Sequence, residues 1–292
     1  MKRIVIWLVG LLVFSTHIAH PAGTIEKIDR TGTVYLGYRE NSIPFSLVLD
    51  NHPAGYSIDL CNAIVAAISA EIGKEIHVEY RPVNPHNRFL ELVSQHVDFL
   101  CGSSTITEQR QKQVAFSPVI FVAGIKILVK QDSNVAALDD LRDKTVALTR
   151  DTTALTLIQD LSERQRLNIS YILSDEHNDS IKFLLAQKVD AFINDDVLLH
   201  GWLAYRRMAD KYRIVGDSLS YEPYGLVFRK DDLRLADLVE RTFWKIAHNG
   251  EIYRIYEKWF IKPLPSGASL EIPMSAELED NFRSLALLAV DP

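Results

Sequence analysis

Val97-Asp98-Phe99-Leu100-Cys101-Gly102-Ser103-Ser104-Thr105-Ile106-Thr107-Glu108-Gln109-Arg110 is an apolar run that ends in a cluster of hydroxyls and a guanidinium. The first four residues have the composition of a buried strand. The next ten place Ser and Thr hydroxyls, loop amides and Arg110 within a few residues of one another. Each hydroxyl or amide donates one hydrogen bond to an anion, and an arginine adds two parallel bonds of fixed geometry. The segment reads as a strand that delivers a carboxylate receptor to its carboxyl end. Taken alone it reads more simply as a Ser/Thr-rich turn and a solvated helix start, because charged loop residues ordinarily face water.

The surrounding sequence decides between the two. Upstream, Thr33-Val34-Tyr35-Leu36-Gly37 predicts a strand, and 56–72 predicts a helix with Ile58, Leu60, Ile64, Val65 and Ile68 on one stripe. A strand at 76–80 and an amphipathic segment at 87–95, apolar through Phe89, Leu90, Leu92 and Val93, lead back to the strand at 97–100. That is βαβαβ, which implies parallel strands with right-handed crossovers. The pattern then repeats, with strands at 145–148, 169–173 and 191–194 and helices at 154–161 and 180–187. Residues 116–122, 125–129 and 224–228 read as extended segments crossing between the units, and helices at 236–247 and beyond Gly250 complete the chain. The expected fold is α/β with two lobes, each a mostly parallel sheet flanked by helices, joined by two crossing strands.

In open parallel sheets, ligands bind beyond the carboxyl ends of the strands where strand order reverses. With order 2-1-3 in each unit, those ends carry Arg39 and the Ser103 to Arg110 loop in the first, and 149–153 and Asp195-Asp196 in the second. If the units face each other, all of these share one cleft. The same edge puts Cys61, in the early turns of its helix, near Cys101.

Composition bounds the function. With 292 residues, 47% hydrophobic and 24% charged, the chain is ordinary globular protein, and disorder is excluded. Lys plus Arg total 32 against 38 Asp plus Glu, a net charge of -6 with no basic tract, so nucleic acid is not an expected partner. Lys2-Arg3 and the apolar run from Ile4 to Phe14 predict a secretory signal peptide over 1–22, cleaved after Ala19 or Ala22, and hence a periplasmic protein. An uncleaved N-terminal anchor is the alternative. Export permits a Cys61–Cys101 disulfide, while two buried thiols fit equally. Neither cysteine has metal-ligand spacing, and no cofactor or metal is expected.

In order along the chain stand Gly37-Tyr38-Arg39-Glu40-Asn41-Ser42-Ile43-Pro44-Phe45-Ser46, Gly55-Tyr56-Ser57-Ile58-Asp59-Leu60, Asn87-Arg88, the Cys101 to Arg110 segment, Gln111-Lys112-Gln113-Val114-Ala115-Phe116-Ser117 and Lys258-Trp259-Phe260. As an ordered set, across about residues 30–265, these resemble the periplasmic solute-binding proteins of polar amino-acid ABC transporters, family 3 type, most closely the glutamate/aspartate-binding members. The resemblance implies the type II periplasmic-binding-protein fold, with lobe 1 at 23–120 and 221–292 and lobe 2 at 121–220, closing on a ligand like a hinged trap. It implies that Arg110 holds an α-carboxylate with Ser103, Thr105 and Thr152, and that Asp195 takes an α-ammonium. Arg39, Arg88 and His177 would face a side-chain carboxylate. The implied ligand is an acidic L-amino acid, the implied partner an ABC permease in the inner membrane, and the implied state a monomer.

Charge counting points the same way. A neutral α-amino acid needs one arginine and one carboxylate, so Arg39 and Arg88 are surplus, and a buried uncompensated guanidinium is costly. A second ligand carboxylate neutralises that surplus and favours protonation of His177. Each residue also has a plainer reading. Arg39 and Arg88 read as solvated charges, and His177 as part of a capping sequence with Asp179 or Ser180 as the cap. One of Asp195 and Asp196 reads as the cap of a helix over 197–208, and Trp259 as packing. Two departures from the relatives stand out. Pro85 replaces a serine of the side-chain-carboxylate site and removes an N–H, with His86 or Asn84 as substitutes. Arg150-Asp151 replace small residues. Other functions on this fold are a sensory module for a receptor, or a lyase or dehydratase using His177 or Asp195 as acid or base. The enzyme reading lacks an activated nucleophile, a metal cluster and a phosphate loop in the sequence.

Overall fold

The computed structural model describes residues 23–287, and the expected signal peptide lies outside the described residues. The chain begins α1 (Thr24–Thr31), β1 (Thr33–Tyr38), β2 (Asn41–Ser42), β3 (Ser46–Leu49), β4 (His52–Ala54), α2 (Tyr56–Ile72), β5 (His77–Pro82), α3 (Arg88–Val93) and β6 (Phe99–Thr105). It continues α4 (Glu108–Gln111), β7 (Val114–Phe116), β8 (Phe121–Ala123), β9 (Ile125–Lys130), β10 (Thr145–Thr149), α5 (Thr153–Gln165), β11 (Ser170–Ser174), α6 (His177–Leu185), β12 (Ala191–Asp195), α7 (Asp196–Arg206) and β13 (Tyr212–Val215). It ends β14 (Glu222–Arg229), α8 (Leu233–His248), α9 (Glu251–Tyr256) and α10 (Ala276–Leu287).

Each lobe has a sheet whose parallel strands run in the order second, first, third: β5-β1-β6 and β11-β10-β12. Both sheets are mixed, with one strand in each running against all the others. β14 lies antiparallel between β6 and β7 and also carries β8, and β9 lies antiparallel between β12 and β13. Connectivity explains this. A strand crossing from the other lobe enters at the cleft edge, where the parallel strands end, and must run the opposite way. Hence Asp195 at the end of β12 pairs with Ile125 at the start of β9, and Thr105 at the end of β6 pairs with Tyr224 near the start of β14.

Two helix starts differ from expectation. α6 begins at His177 with Glu176 at its N-cap position, so neither Asp179 nor Ser180 is the cap. α7 begins at Asp196, where the Asp196 side chain accepts from the Val197 amide at 2.7 Å and the Gly124 amide at 3.2 Å. Asp195 makes no capping bond, and its carboxylate is left to the cleft.

The first-lobe core closes behind the cleft with rings. Phe45 meets Tyr224, Phe121 and Phe260 edge-on at centroid distances of 5.1, 5.2 and 5.6 Å. Trp259 packs in this lobe, its indole N–H donating to Asp59 Oδ2 at 2.7 Å beside the Lys258 ammonium. Cys61 and Cys101 form a disulfide that ties α2 to β6 just before the hydroxyl cluster, at a sequence separation of 40. Replacing both cysteines with serine is expected to lower the unfolding free energy by about 2–4 kcal/mol, because the bridge restricts the unfolded chain. Urea denaturation of the variant beside the oxidised wild type measures this, and coincident midpoints would contradict it.

Candidate functional site

The first lobe brings three arginines to the carboxyl ends of its strands. Arg39 follows β1, is 4% exposed, and is anchored by its own amide donating to Ser46 Oγ at 2.8 Å. Arg88 opens α3 and is 5% exposed, its guanidinium reaching the Asp151 carbonyl at 3.4 Å. Arg110 lies in α4, which Thr107 caps by accepting the Arg110 amide at 3.2 Å, and its guanidinium donates to the Thr105 carbonyl at 2.8 Å. The Arg88 and Arg110 guanidiniums share one aromatic platform, 4.7 and 5.3 Å from the Phe89 centroid. Ser103, half-buried, and Thr105, buried, lie at the end of β6.

The second lobe faces them with Thr152, His177 and Asp195. The Thr152 hydroxyl is committed to its helix, donating to the Thr149 carbonyl at 2.7 Å and accepting from the Leu155 amide at 3.3 Å. What Thr152 has to offer a ligand is its backbone amide at the N-terminus of α5. His177 Nδ1 sits 2.9 Å from Thr149 Oγ1 in a buried chain running to Ser180 Oγ at 3.0 Å, on to Ser174 Oγ at 2.6 Å, and ending with Ser174 donating to the Glu176 carbonyl at 2.8 Å. A carbonyl only accepts, so the protons line up along the chain and Nδ1 carries the hydrogen. Burial, then Arg39 and Arg88, hold His177 well below its usual range and therefore neutral.

Asp195 is buried, with Oδ2 accepting from the Tyr224 hydroxyl at 2.5 Å and Oδ1 without a partner. Burial and neighbouring Glu222 push its carboxyl up to about 7, against the pull of the Tyr224 hydroxyl and Arg110. Arg88 is driven well down by burial and then by Arg110 and Arg39, and Arg110 is lowered by burial while Asp195 and Glu222 oppose. Buried Nε atoms of Arg39 and Arg88 and Oε2 of Glu222 also lack partners. Unpaired donors and acceptors of both signs, at this depth, are complementary to a small molecule bearing both signs of charge.

Residues 34–262 match the family described as bacterial extracellular solute-binding proteins, family 3. The chain belongs to that family. This family 3 protein is 37% identical over 265 residues to the glutamate/aspartate import solute-binding protein of Escherichia coli strain K12, covering 90% of this chain and 86% of that one. Among solved structures, a variant of ArgBP from T. maritima superposes with a TM-score of 0.73 at 26% identity, covering 82% of this chain and 99% of its own. The ancestral amino acid-binding protein AncCDT-1, a precursor of cyclohexadienyl dehydratase, superposes with a TM-score of 0.68 at 26% identity, covering 82% and 99%.

Several groups in the cleft of this family 3 protein escaped sequence reading. Phe89 counts there only as a helix-stripe residue, Tyr224 only as the start of a crossing strand and Glu176 only as a neighbour of His177, and Glu222 lies just outside the segment read as crossing. Tyr224 had a usable signal, since a crossing strand that ends at a cleft presents its first residues there. Each proposed substitute for the serine replaced by Pro85 has one polar atom engaged and another free to donate. Asn84 Oδ1 accepts from the Asn87 amide at 2.7 Å, and His86 Nδ1 reaches Asp151 Oδ2 in the other lobe at 2.6 Å.

Proposed function

We propose that this chain is a periplasmic binding protein, exported by its N-terminal signal, that captures glutamate or aspartate between its lobes and delivers it to an ABC permease in the inner membrane. The observation that carries the reading is the convergence of buried Arg39 and Arg88 and half-buried Arg110 on a cleft whose facing carboxylate, Asp195, has one oxygen unpartnered. Arg110 takes the α-carboxylate with Ser103, Thr105 and the Thr152 amide. Asp195 takes the α-ammonium, which brings its carboxyl back toward the ionised form. Arg39, Arg88 and His177 serve the distal carboxylate, whose charge offsets the burial and the arginine repulsion that together hold His177 neutral. Each lobe supplies part of the site, so the ligand favours the closed arrangement and drives hinge closure. Lobe 1 spans 23–120 and 221–292 and lobe 2 spans 121–220, and the protein works as a monomer.

Binding without catalysis is the function proposed. The similarity to a dehydratase precursor makes a product assay part of the test. Calorimetric titration with L-glutamate, L-aspartate, L-glutamine and neutral amino acids is expected to rank the acidic pair first, with no new product after prolonged incubation. Arg88→Ala is expected to weaken the acidic ligands by about 100-fold while changing glutamine by less than about tenfold, since the charge-assisted bond lost serves only the distal carboxylate. Glutamine ahead of glutamate in the wild type would overturn the ligand assignment.

A further inference from the structure

Counting charges along the chain makes Arg39 and Arg88 two equal surplus guanidiniums. Folding makes them unequal. Arg39 Nη2 donates to Glu176 Oε2 at 3.2 Å, with the arginine side chain 5% exposed and the glutamate 33%. Arg88 has no carboxylate within 4.0 Å of its guanidinium among the described residues, and its Nε is unpartnered. Glu176 occupies the N-cap position of α6 yet makes no capping bond, so its side chain is turned to Arg39 in the other lobe instead of to its own helix.

We propose that Glu176 is a built-in counter-anion that neutralises Arg39 in the closed cleft and leaves Arg88 as the guanidinium that selects a distal carboxylate, a role resting on the acidic amino-acid reading above. A ligand carboxylate that approaches Arg39 must share it with Glu176, and the two like charges repel at short range in a partly dry site. Glu176 therefore limits the preference for a dicarboxylic ligand over its amide. It also joins the lobes, since Arg39 follows β1 and Glu176 precedes α6. That bridge helps closure on any ligand, whatever its distal group. The two effects separate cleanly, because only the first depends on the ligand's charge.

The test is calorimetric titration of wild type and Glu176→Gln with L-glutamate and L-glutamine, and of both proteins again in an Arg39→Met background. Glu176→Gln is expected to raise the glutamate-over-glutamine preference by about tenfold, a modest fraction of the Coulomb repulsion between neighbouring carboxylates. In the Arg39→Met background Glu176, one-third exposed and held toward the cleft only by Arg39, turns to water, so the same substitution is expected to change the preference by less than about twofold. Equal weakening of both ligands by Glu176→Gln, with the preference unchanged, would reduce Glu176 to a latch between the lobes and overturn the proposal. A wild type that does not prefer acidic ligands defeats the underlying reading and this proposal with it. A wild type that does, with an unmoved or smaller preference in Glu176→Gln, defeats this proposal alone.

Discussion

Arg110→Ala is expected to weaken the binding of every amino acid, by about 100- to 4,000-fold for glutamate. The α-carboxylate is common to all candidate ligands, and its partner here is a guanidinium held over the Phe89 ring and tied to the Thr105 carbonyl at 2.8 Å. Removing one member of a buried, hydrogen-bonded ion pair costs about 3–5 kcal/mol, because the other charge is left desolvated without compensation. Every 1.4 kcal/mol is tenfold in affinity. Folding should survive, since Arg110 sits in a one-turn helix whose cap uses its backbone amide and not its side chain. Calorimetry checks the binding and thermal unfolding checks the fold. Arg110→Lys is the sharper companion. It keeps the charge and loses the planar fork, so partial binding is expected. Glutamate binding by Arg110→Ala within tenfold of wild type would move the α-carboxylate elsewhere in the cleft.

The framework of the cleft was legible in the sequence because it is made of local patterns. Apolar runs of strand length alternate with stripes at helical spacing, and right-handed crossovers leave few ways to order three parallel strands. The order of β1, β6, β10 and β12 in their sheets follows from that, and with it the positions of Arg39, Ser103, Thr105, Thr149 and Asp195 toward strand ends. What was not legible depends on distant pairing. Arg39 and Glu176 are 137 positions apart, and Tyr224 and Asp195 are 29 apart in opposite lobes. The start of α6 was misplaced because Asp175-Glu176-His177-Asn178-Asp179-Ser180 offers several residues able to begin a helix. Local propensity does not choose among them, and the contact with Arg39 in the other lobe engages Glu176. The three-stranded sheet of β2, β3 and β4 has strands of two to four residues, too short to show any period.

Gly201→Ala is expected to lower glutamate affinity by about 5- to 150-fold without destabilising the ligand-free protein. Gly201 lies inside α7, where glycine costs about 1 kcal/mol relative to alanine, so the helix by itself would gain from the substitution. The glycine is explained by what it touches in the other lobe. A Cβ built there would stand 2.2 Å from the Ile43 carbonyl oxygen and 2.9 Å from its carbon, and this is backbone that no rotamer change can clear. Ile43 is buried in the turn between β2 and β3, beside the Phe45 cluster, which restricts how far it can yield. The methyl group therefore opposes closure alone. Overpacking of this kind costs about 1–3 kcal/mol, and a ligand that needs the closed form loses that amount of affinity. The ligand-free protein, free to stay open, loses nothing. Calorimetry reads the first effect and thermal unfolding the second, while small-angle scattering at saturating glutamate should show a larger radius of gyration than liganded wild type. Wild-type affinity together with a wild-type scattering profile would mean that the lobes close without bringing α7 against Ile43. Weakened binding with an unchanged closed shape would place the defect in the site and not in the hinge.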